Sequence, residues 1–198
     1  MLDFDPKKKS DRVLAAALEL FKQYGFRRTS MDDIAKAADM SRPALYLLFA
    51  NKTDIFRSLS ERFHQKTLAM AKDALTQDAV PEQRICAAIK ARMLPLYRLA
   101  HESLHGQELS NTNQSLSADI SASADLLFLE ILSESLQTAI NTGEIAPADH
   151  LAARELAQVL QGMAQGLKPM AFSAKDYERL LENAITTLFH GLKGQRKA

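Results

Sequence analysis

Cysteine is almost absent from this sequence, since Cys86 is the only one in 198 residues. A lone cysteine excludes an intrachain disulfide and any zinc module built on several cysteines. Long apolar runs are also missing: no stretch approaches the roughly 18 residues that a membrane-spanning helix needs. The N-terminal MLDFDPKKK has no apolar core of a secretory signal. We therefore expect a cytoplasmic protein without a disulfide.

Glycine and proline are few, with 7 and 6 residues, and most stand at plausible helix boundaries. No segment alternates β-branched with polar residues, and no internal repeat is present. Apolar residues instead recur at helical spacing through most of the chain. The sequence thus predicts an all-α protein of about nine helices.

Three details of the predicted helices can be checked against a structure. Pro95 falls inside a predicted helix, so we expect a kink or an early stop there. The polar segment SNTNQSLS, residues 110–117, predicts a loop. The next helix, residues 119–141, is expected to bury Ile120, Leu127, Ile131 and Leu132.

The net charge of +1 argues by itself against a nucleic-acid partner, but the charge is unevenly distributed. Lys and Arg outnumber Asp and Glu in residues 1–52, and the balance reverses in the remainder. A basic head on a mildly acidic body is expected where only the head meets phosphates.

Residues 30–52, SMDDIAKAADMSRPALYLLFANK, predict two short helices joined by a tight turn. Ser30 and Asp33 form a capping box that starts the first helix. Ser41 is a good N-cap for the second helix, and Pro43 is tolerated in its first turn.

The second of these helices has an outer face that a core does not need. Its inner side carries Leu45, Leu48 and Phe49. Its outer side carries Arg42, Pro43, Tyr46 and Leu47, which we call the recognition face. A guanidinium, a phenol and two apolar groups suit a DNA major groove, so the segment predicts a helix-turn-helix.

The first 55 residues or so resemble the TetR family of transcriptional regulators, of the AcrR type. The matching residues are Arg12, Ala17, Phe21, Gly25, Phe26, Thr29, Asp33, Ile34, Ala35, Ser41, Leu45, Tyr46, Phe49 and Lys52. The remaining helices resemble the family in architecture and are somewhat similar to its AefR-like branch. The resemblance implies a three-helix DNA-binding domain in residues 1–55, with the helix-turn-helix at about 30–50. It also implies a helical ligand-binding and dimerisation domain in residues 56–198.

Three residues depart from the family pattern. Asp39 stands where Gly is common in the turn, but Asp tolerates the left-handed conformation better than most residues. Leu48 replaces the usual His, which removes a phosphate contact, and Leu47 stands where many relatives carry an aromatic or polar group. The changes at Leu47 and Leu48 affect the operator sequence rather than the binding mode.

The resemblance implies phosphate contacts from Thr29, Ser30, Tyr46 and Lys52. The position of Lys52 supports a phosphate contact independently of the resemblance. A cation in the first turn of a helix is unfavourable by roughly 0.3–1 kcal/mol because it opposes the macrodipole, so its presence there indicates a partner anion. Arg28, together with Arg27, is expected to reach flanking phosphates, although a plain charged loop is an alternative.

Base contacts are expected from the recognition face. Arg42 is best placed to reach a base edge, most commonly guanine, although it could instead hold a phosphate or face solvent. Pro43 and Leu47 are expected to pack on thymine methyl groups, and Ala44 belongs to the same contact set. The alternative for Leu47 is a buried core position.

One recognition helix reads too few base pairs to find a site in a genome, and the resemblance implies a dimer on two-fold half-sites. The last two helices carry more apolar surface than one inner contact requires, and Gly162 and Gly166 would allow close approach. The expected interface residues are Leu156, Leu160, Met163, Leu181, Ile185 and Leu188. Ordinary packing within one subunit is the alternative.

His101-Glu102-Ser103-Leu104-His105 is a literal H-E-x-x-H, which binds zinc in hydrolases when it lies on one helix. No downstream motif supplies a third ligand, and a helix-turn-helix has no role in a hydrolase. We therefore expect no enzyme, no cofactor and no metal ligand, and a metallohydrolase remains the alternative.

An effector pocket is expected between the middle helices, lined by Met93, Tyr97, His101, Phe128 and Met163. Taken together, the sequence predicts a homodimeric regulator of a double-stranded DNA operator. The expected function is a repressor that a small molecule releases from its operator. Two further functions stay open, namely a DNA-binding protein without an effector and a pure oligomerisation module.

Overall fold

The computed structural model describes residues 2–147 and 151–193. Within these residues the chain forms nine α-helices, one 3-10 turn at Lys168–Met170 and no strand, which confirms the all-α class. The helices are α1 (Lys9–Tyr24), α2 (Met31–Ala37), α3 (Arg42–Tyr46), α4 (Lys52–Leu75), α5 (Pro81–Glu102), α6 (Gly106–Leu116), α7 (Ala118–Asn141), α8 (Ala153–Leu167) and α9 (Ala174–Lys193). Each of these helices is too short or too polar to cross a bilayer.

The helices divide into two compact units. The first unit comprises Met1–Lys66 and Arg98–Ser123, and the second comprises Thr67–Tyr97 and Ala124–Ala198. The first unit therefore holds α1, α2, α3 and α6 with parts of α4, α5 and α7. This unit is larger than the DNA-binding domain that the sequence assigned to residues 1–55, because α6 also packs in it.

The core of the first unit fixes the two short helices of the helix-turn-helix. Phe21 of α1, Ile34 of α2 and Leu45 of α3 are each at most 1% exposed and lie in one apolar cluster. The Phe21 ring also contacts those of Phe26 and Phe56, with centroids 5.4 and 6.0 Å away. Burial of such side chains stabilises the unit by about 1.5–3 kcal/mol each, so α2 and α3 are held by packing rather than by helix propensity.

A buried carboxylate ties the start of α1 to α4. Asp11 accepts a hydrogen bond from Arg62 Nη2 at 2.9 Å through Oδ1, and another from the Asp5 backbone N–H at 2.8 Å through Oδ2. These hydrogen bonds, with that from Arg62 the stronger, lower the pKa of Asp11 to about 2. The charged form of Asp11 therefore favours the folded state.

We expect Asp11→Asn to lower the free energy of unfolding at neutral pH by about 1 kcal/mol, after discounting for solvent screening. Because the folded pKa is depressed, the contribution of Asp11 is present above its unfolded value of 3.8 and is lost as the pH falls towards about 2. Urea unfolding of both proteins over this pH range measures the contribution of Asp11 to the free energy of unfolding. Asp78→Asn, at an exposed position, is the control, and equal acid sensitivity of Asp11→Asn and the parent protein would contradict the prediction.

The predicted dimer residues on α8 and α9 are mostly internal to a single chain. Leu156, Leu160, Leu181 and Ile185 are each at most 1% exposed within the core of the second unit, which corrects their assignment to a partner interface. Met163 and Leu188 are half-buried against the same core. The apolar stripes of α8 and α9 are thus covered by intrachain packing, and a second chain would have to contact other faces.

The polar segment 110–117 is not the predicted loop, because residues up to Leu116 continue α6. Its polar groups have partners on neighbouring helices. Asn113 accepts from Ser60 Oγ at 2.7 Å and donates to Ser121 Oγ at 3.0 Å. The Leu116 carbonyl accepts from Arg57 at 2.6 Å. Tertiary hydrogen bonds therefore stabilise a helix that its composition does not predict.

Two further helix predictions need correction. Pro95 does not end α5, which continues to Glu102, so the early stop is wrong and the kink stays a prediction. In α7 the predicted inner residue Leu127 is 51% exposed, whereas Phe128 is fully buried. Ile120 and Ile131 are only partly buried. Because α7 carries apolar residues around most of its circumference, periodicity alone does not single out the buried face.

Candidate nucleic-acid interface

The helix-turn-helix begins with the predicted capping box. The Ser30 hydroxyl accepts from the Asp33 backbone N–H at 3.2 Å, and Asp33 Oδ2 accepts from the Ser30 backbone N–H at 2.9 Å. Hydrogen bonds from the Ser30 side chain and backbone lower the pKa of Asp33. The start of α2 at Met31 is therefore confirmed, and it is fixed by local chemistry.

The turn between α2 and α3 depends on one residue with positive φ. Asp39 has φ of 52°, the left-handed conformation that the sequence assigned to it in place of glycine. The Met40 backbone N–H donates to the Ala35 carbonyl at 3.0 Å and caps the C-terminal end of α2. Ser41 then caps α3 by accepting from the Ala44 N–H at 3.4 Å. These contacts set the direction in which α3 leaves α2.

The recognition face is open, as predicted. Leu45 on the opposite side of α3 is fully buried, whereas Leu47 is 87% and Tyr46 is 42% exposed. Arg42 and Pro43 are exposed as well. The core alternative for Leu47 is therefore wrong. An exposed leucine beside an arginine and a tyrosine is a surface that a binding partner would cover.

Arg42 is held by weak interactions within the unit. Its Nη1 lies 3.2 Å from an Asp32 carboxylate oxygen, and its guanidinium carbon lies 5.5 Å from the centre of the Tyr46 ring. The Tyr46 side chain and then Asp32 raise the pKa of Arg42, which is positively charged. An exposed ion pair of this kind contributes about 0–1 kcal/mol, so the guanidinium can exchange Asp32 for another acceptor at little cost.

Leu48 does not share the inner side with Leu45 and Phe49. It is 39% exposed, whereas Phe49 is 7% exposed. The reason is that α3 ends at Tyr46 and the Leu48 N–H bonds to the Leu45 carbonyl, so helical spacing no longer applies. The recognition helix is thus only five residues long.

Lys52 and Thr29 organise the turn that leads into α2. Lys52 Nζ donates to the backbone carbonyls of Phe26 and Thr29, at 2.5 and 2.7 Å. The Thr29 hydroxyl, itself buried, donates to the Gly25 carbonyl at 2.7 Å. Burial lowers the pKa of Lys52, and the Glu108 carboxylate opposes this shift. Both residues have structural roles, and their contacts to phosphate stay predictions, as do those of the exposed Arg28 and Ser30.

Glu108 of α6 is a residue of this region that the sequence did not indicate. Its Oε1 accepts from the Arg27 backbone N–H at 2.9 Å. Its carboxylate also lies against Gly25, where a Cβ would come within 2.2 Å of Oε2. Gly25, with φ of 83°, is required for its backbone conformation, and a side chain there would also displace the end of the Glu108 side chain. No local pattern links residues so far apart in the chain.

The H-E-x-x-H sequence does not lie on one helix, as the zinc site of a hydrolase would require. α5 ends at Glu102 and α6 begins at Gly106, so His105 lies in the turn between them rather than one helical turn beyond His101. His105 Nδ1 instead lies 3.4 Å from Glu108 Oε2. Throughout the described residues, no three His, Cys, Asp or Glu side chains are grouped to hold a metal ion.

Most of the residues predicted for an effector pocket lie in the core of the second unit. Met93, Tyr97 and Phe128 are at most 3% exposed in the core of the second unit, and Met163 packs against that core. The Tyr97 ring stacks on Tyr177 at 4.6 Å. His101, by contrast, is exposed and belongs to the first unit.

A capped two-helix motif with an exposed face on its short second helix defines a DNA-binding protein of the helix-turn-helix class. Residues 13–59 match the family described as bacterial regulatory proteins, tetR family. Residues 13–59 therefore form a DNA-binding domain of the TetR family of transcriptional regulators.

Similarity extends over most of the chain. The transcriptional repressor ComR of Escherichia coli K12 is 27% identical over 90% of this chain and 86% of its own length. A TetR/AcrR-family regulator from Thermobifida fusca superposes with a TM-score of 0.72 at 20% identity, over 96% of this chain and 99% of its own. SmeT, the repressor of a Stenotrophomonas maltophilia multidrug efflux pump, gives 0.68 at 18% identity, over 98% and 95%. The two structures show the shared fold.

Proposed function

We propose that this regulator binds a palindromic operator as a homodimer and represses transcription until a small molecule releases it. The observation that carries the proposal is the recognition face, whose four side chains at α3 and its C-terminal cap are exposed, whereas Leu45 on the opposite side of α3 is fully buried. A short helix held by its inner leucine can enter a major groove without disturbing the core.

Support for repression and for an effector comes from relatives. ComR is a transcriptional repressor, and SmeT is the repressor of an efflux pump that has also been solved in complex with triclosan. A ligand can release an operator only to the extent that it binds the two protein shapes differently, typically by about 1–3 kcal/mol.

The proposed dimer uses the outward faces of α8 and α9. On α8, Val159 is 48% exposed, and a Cβ built at Gly162 or Gly166 meets no atom within 4 Å. Small residues one turn apart allow two helices to approach closely. Two copies would then present two recognition faces, as a two-fold operator requires.

The test is selection of bound sequences from a random double-stranded DNA pool with full-length protein. We expect a palindrome with half-sites about one helical turn or a multiple apart. Arg42→Ala is expected to relax one position in each half-site, because a lost contact between arginine and base costs about 1–3 kcal/mol of discrimination.

Arg179→Ala is the matched control for Arg42→Ala. Arg179 is equally exposed and also pairs with one carboxylate, that of Asp176 at 2.6 Å, but it lies on α9. Its replacement should leave the selected sequence unchanged. Selection of no sequence, or of an asymmetric one, would contradict the proposed function, and an unchanged preference of Arg42→Ala would remove its role in readout.

A further inference from the structure

Asp32 is an acidic residue of α2 that neither the cap nor the core of this helix explains. It stands in the first turn of α2, but Ser30 and Asp33 already form the capping box. The buried residues of α2 are Ile34 and Ala35, whereas the Asp32 side chain is half-exposed. The role of Asp32 therefore follows from what its carboxylate contacts.

The Asp32 carboxylate contacts the recognition face. Both of its oxygens lie 3.2 Å from Nη1 of Arg42, ten residues further along the chain. Among the side chains that the structure describes, Arg42 is the one hydrogen-bond or ion-pair partner of the Asp32 side chain. A negative charge thus stands beside a surface proposed to meet phosphates, where it lowers the affinity for DNA in general.

The contact with Asp32 leaves one edge of the Arg42 guanidinium available. Asp32 approaches Nη1, so it does not occupy the edge formed by Nε and Nη2. The Tyr46 ring, with its centre 5.5 Å from the guanidinium carbon, is a second neighbour of this side chain. Guanine O6 and N7 accept two N–H groups from one arginine. Arg42 can therefore contact a base edge without leaving Asp32.

A phosphate is a different acceptor for Arg42. It carries a negative charge, which the Asp32 carboxylate repels when both lie within a few ångströms of one guanidinium. Binding of Arg42 to a phosphate therefore requires the pair with Asp32 to break or two anions to come close together. A base edge is neutral and meets no such repulsion. Because the pair is exposed, the resulting preference for a base is modest in size.

We propose that Asp32 is a positioning residue for operator recognition, which directs Arg42 to a base edge and away from phosphates. This inference rests on the proposed function, because the base contact of Arg42 belongs to it. Asp32 then reduces affinity for DNA in general and increases the preference at one base-pair position. An acid kept only to complement the dipole of α2 would act differently, since its loss would destabilise α2 and weaken binding to all sequences alike.

The first experiment compares full-length Asp32→Asn with the parent protein, because asparagine keeps the shape of aspartate and removes its charge. We expect affinity for a random-sequence duplex to rise about 3–10-fold, since each subunit of the dimer loses one repulsive charge. The slope of log K against log salt should steepen by about 1 per subunit as Arg42 pairs with a phosphate. In sequence selection, the preference at the position read by Arg42 should fall at least about 3-fold.

The second experiment repeats Asp32→Asn in the Arg42→Ala background. If Asp32 acts through Arg42, the substitution no longer changes the base preference there, because the two residues form one unit. Asp176→Asn is the matched control. Asp176 also stands in the first turn of a helix, α9, and pairs with an arginine, Arg179, at 2.6 Å. Its replacement should leave the selected sequence and the affinity for random-sequence DNA unchanged.

The outcomes separate this inference from the proposed function. An unchanged base preference of Asp32→Asn, or an equal change in the Arg42→Ala background, would overturn the inference and leave the proposed function intact. Weaker binding of Asp32→Asn to all sequences alike would indicate a structural role and also overturn it. If the parent protein selects no operator, the proposed function fails and this inference fails with it.

Discussion

Leu47→Glu is expected to reduce operator affinity by roughly 100-fold or more while leaving the free energy of unfolding unchanged. Leu47 is 87% exposed, so the folded chain loses no buried contact when it is replaced. In the proposed complex the same position faces DNA, and a glutamate there would add a negative charge close to phosphates. A dimer carries the change twice, and each 1.4 kcal/mol of lost binding is a factor of 10.

The matched control is Leu104→Glu. Leu104 is 83% exposed and lies outside the helix-turn-helix, in the turn between α5 and α6. Fluorescence anisotropy with a selected operator, together with urea unfolding, measures both effects. Equal loss of affinity in the two variants would show a general charge effect, and full affinity of Leu47→Glu would exclude Leu47 from the interface.

Gly106→Ala is expected to lower the free energy of unfolding by about 3 kcal/mol. A Cβ at this position would come within 2.3 Å of the Leu99 carbonyl oxygen and 2.4 Å of that of Ala100. These are backbone atoms, so a side-chain rotation cannot relieve the clash. The first turn of α6 would have to move away from the end of α5.

Gln107→Ala, one residue further along α6, is the control for this steric effect. Gln107 is exposed, and its side chain donates to Asn111 Oδ1 within its own helix, at 3.2 Å. Chemical denaturation should show little change for Gln107→Ala. If Gly106→Ala unfolds at the same denaturant concentration as the parent protein, the close approach of the α5 and α6 backbones is wrong.

The predictions that succeeded concern local chemistry. The Ser30–Asp33 capping box was predicted from two residues three positions apart, and the left-handed conformation of Asp39 from the glycine that the TetR family commonly has in this turn. Gly25 after α1 was predicted in the same way. Short-range hydrogen bonds and backbone sterics determine such features, so the sequence contains the information in one place.

The predictions that failed concern contacts between residues far apart in the chain, or between two chains. Periodicity identified the apolar stripe of α8 that contains Leu156 and Leu160, but not whether the same chain or a second chain buries it. The segment around Asn113 looked like a loop because its partners, Ser60 and Ser121, are distant in sequence or on another helix. Arg92 and Asp125 are likewise brought together only by packing.

The hydrogen bond from the Arg27 N–H to Glu108 bears on how this regulator can be re-engineered. A chimera that joins residues 1–55 to the body of another regulator would leave that amide without its acceptor, unless the new body supplies one. Grafts intended to transfer operator specificity should therefore carry the stretch around α6 as well, or change only the side chains of the recognition face.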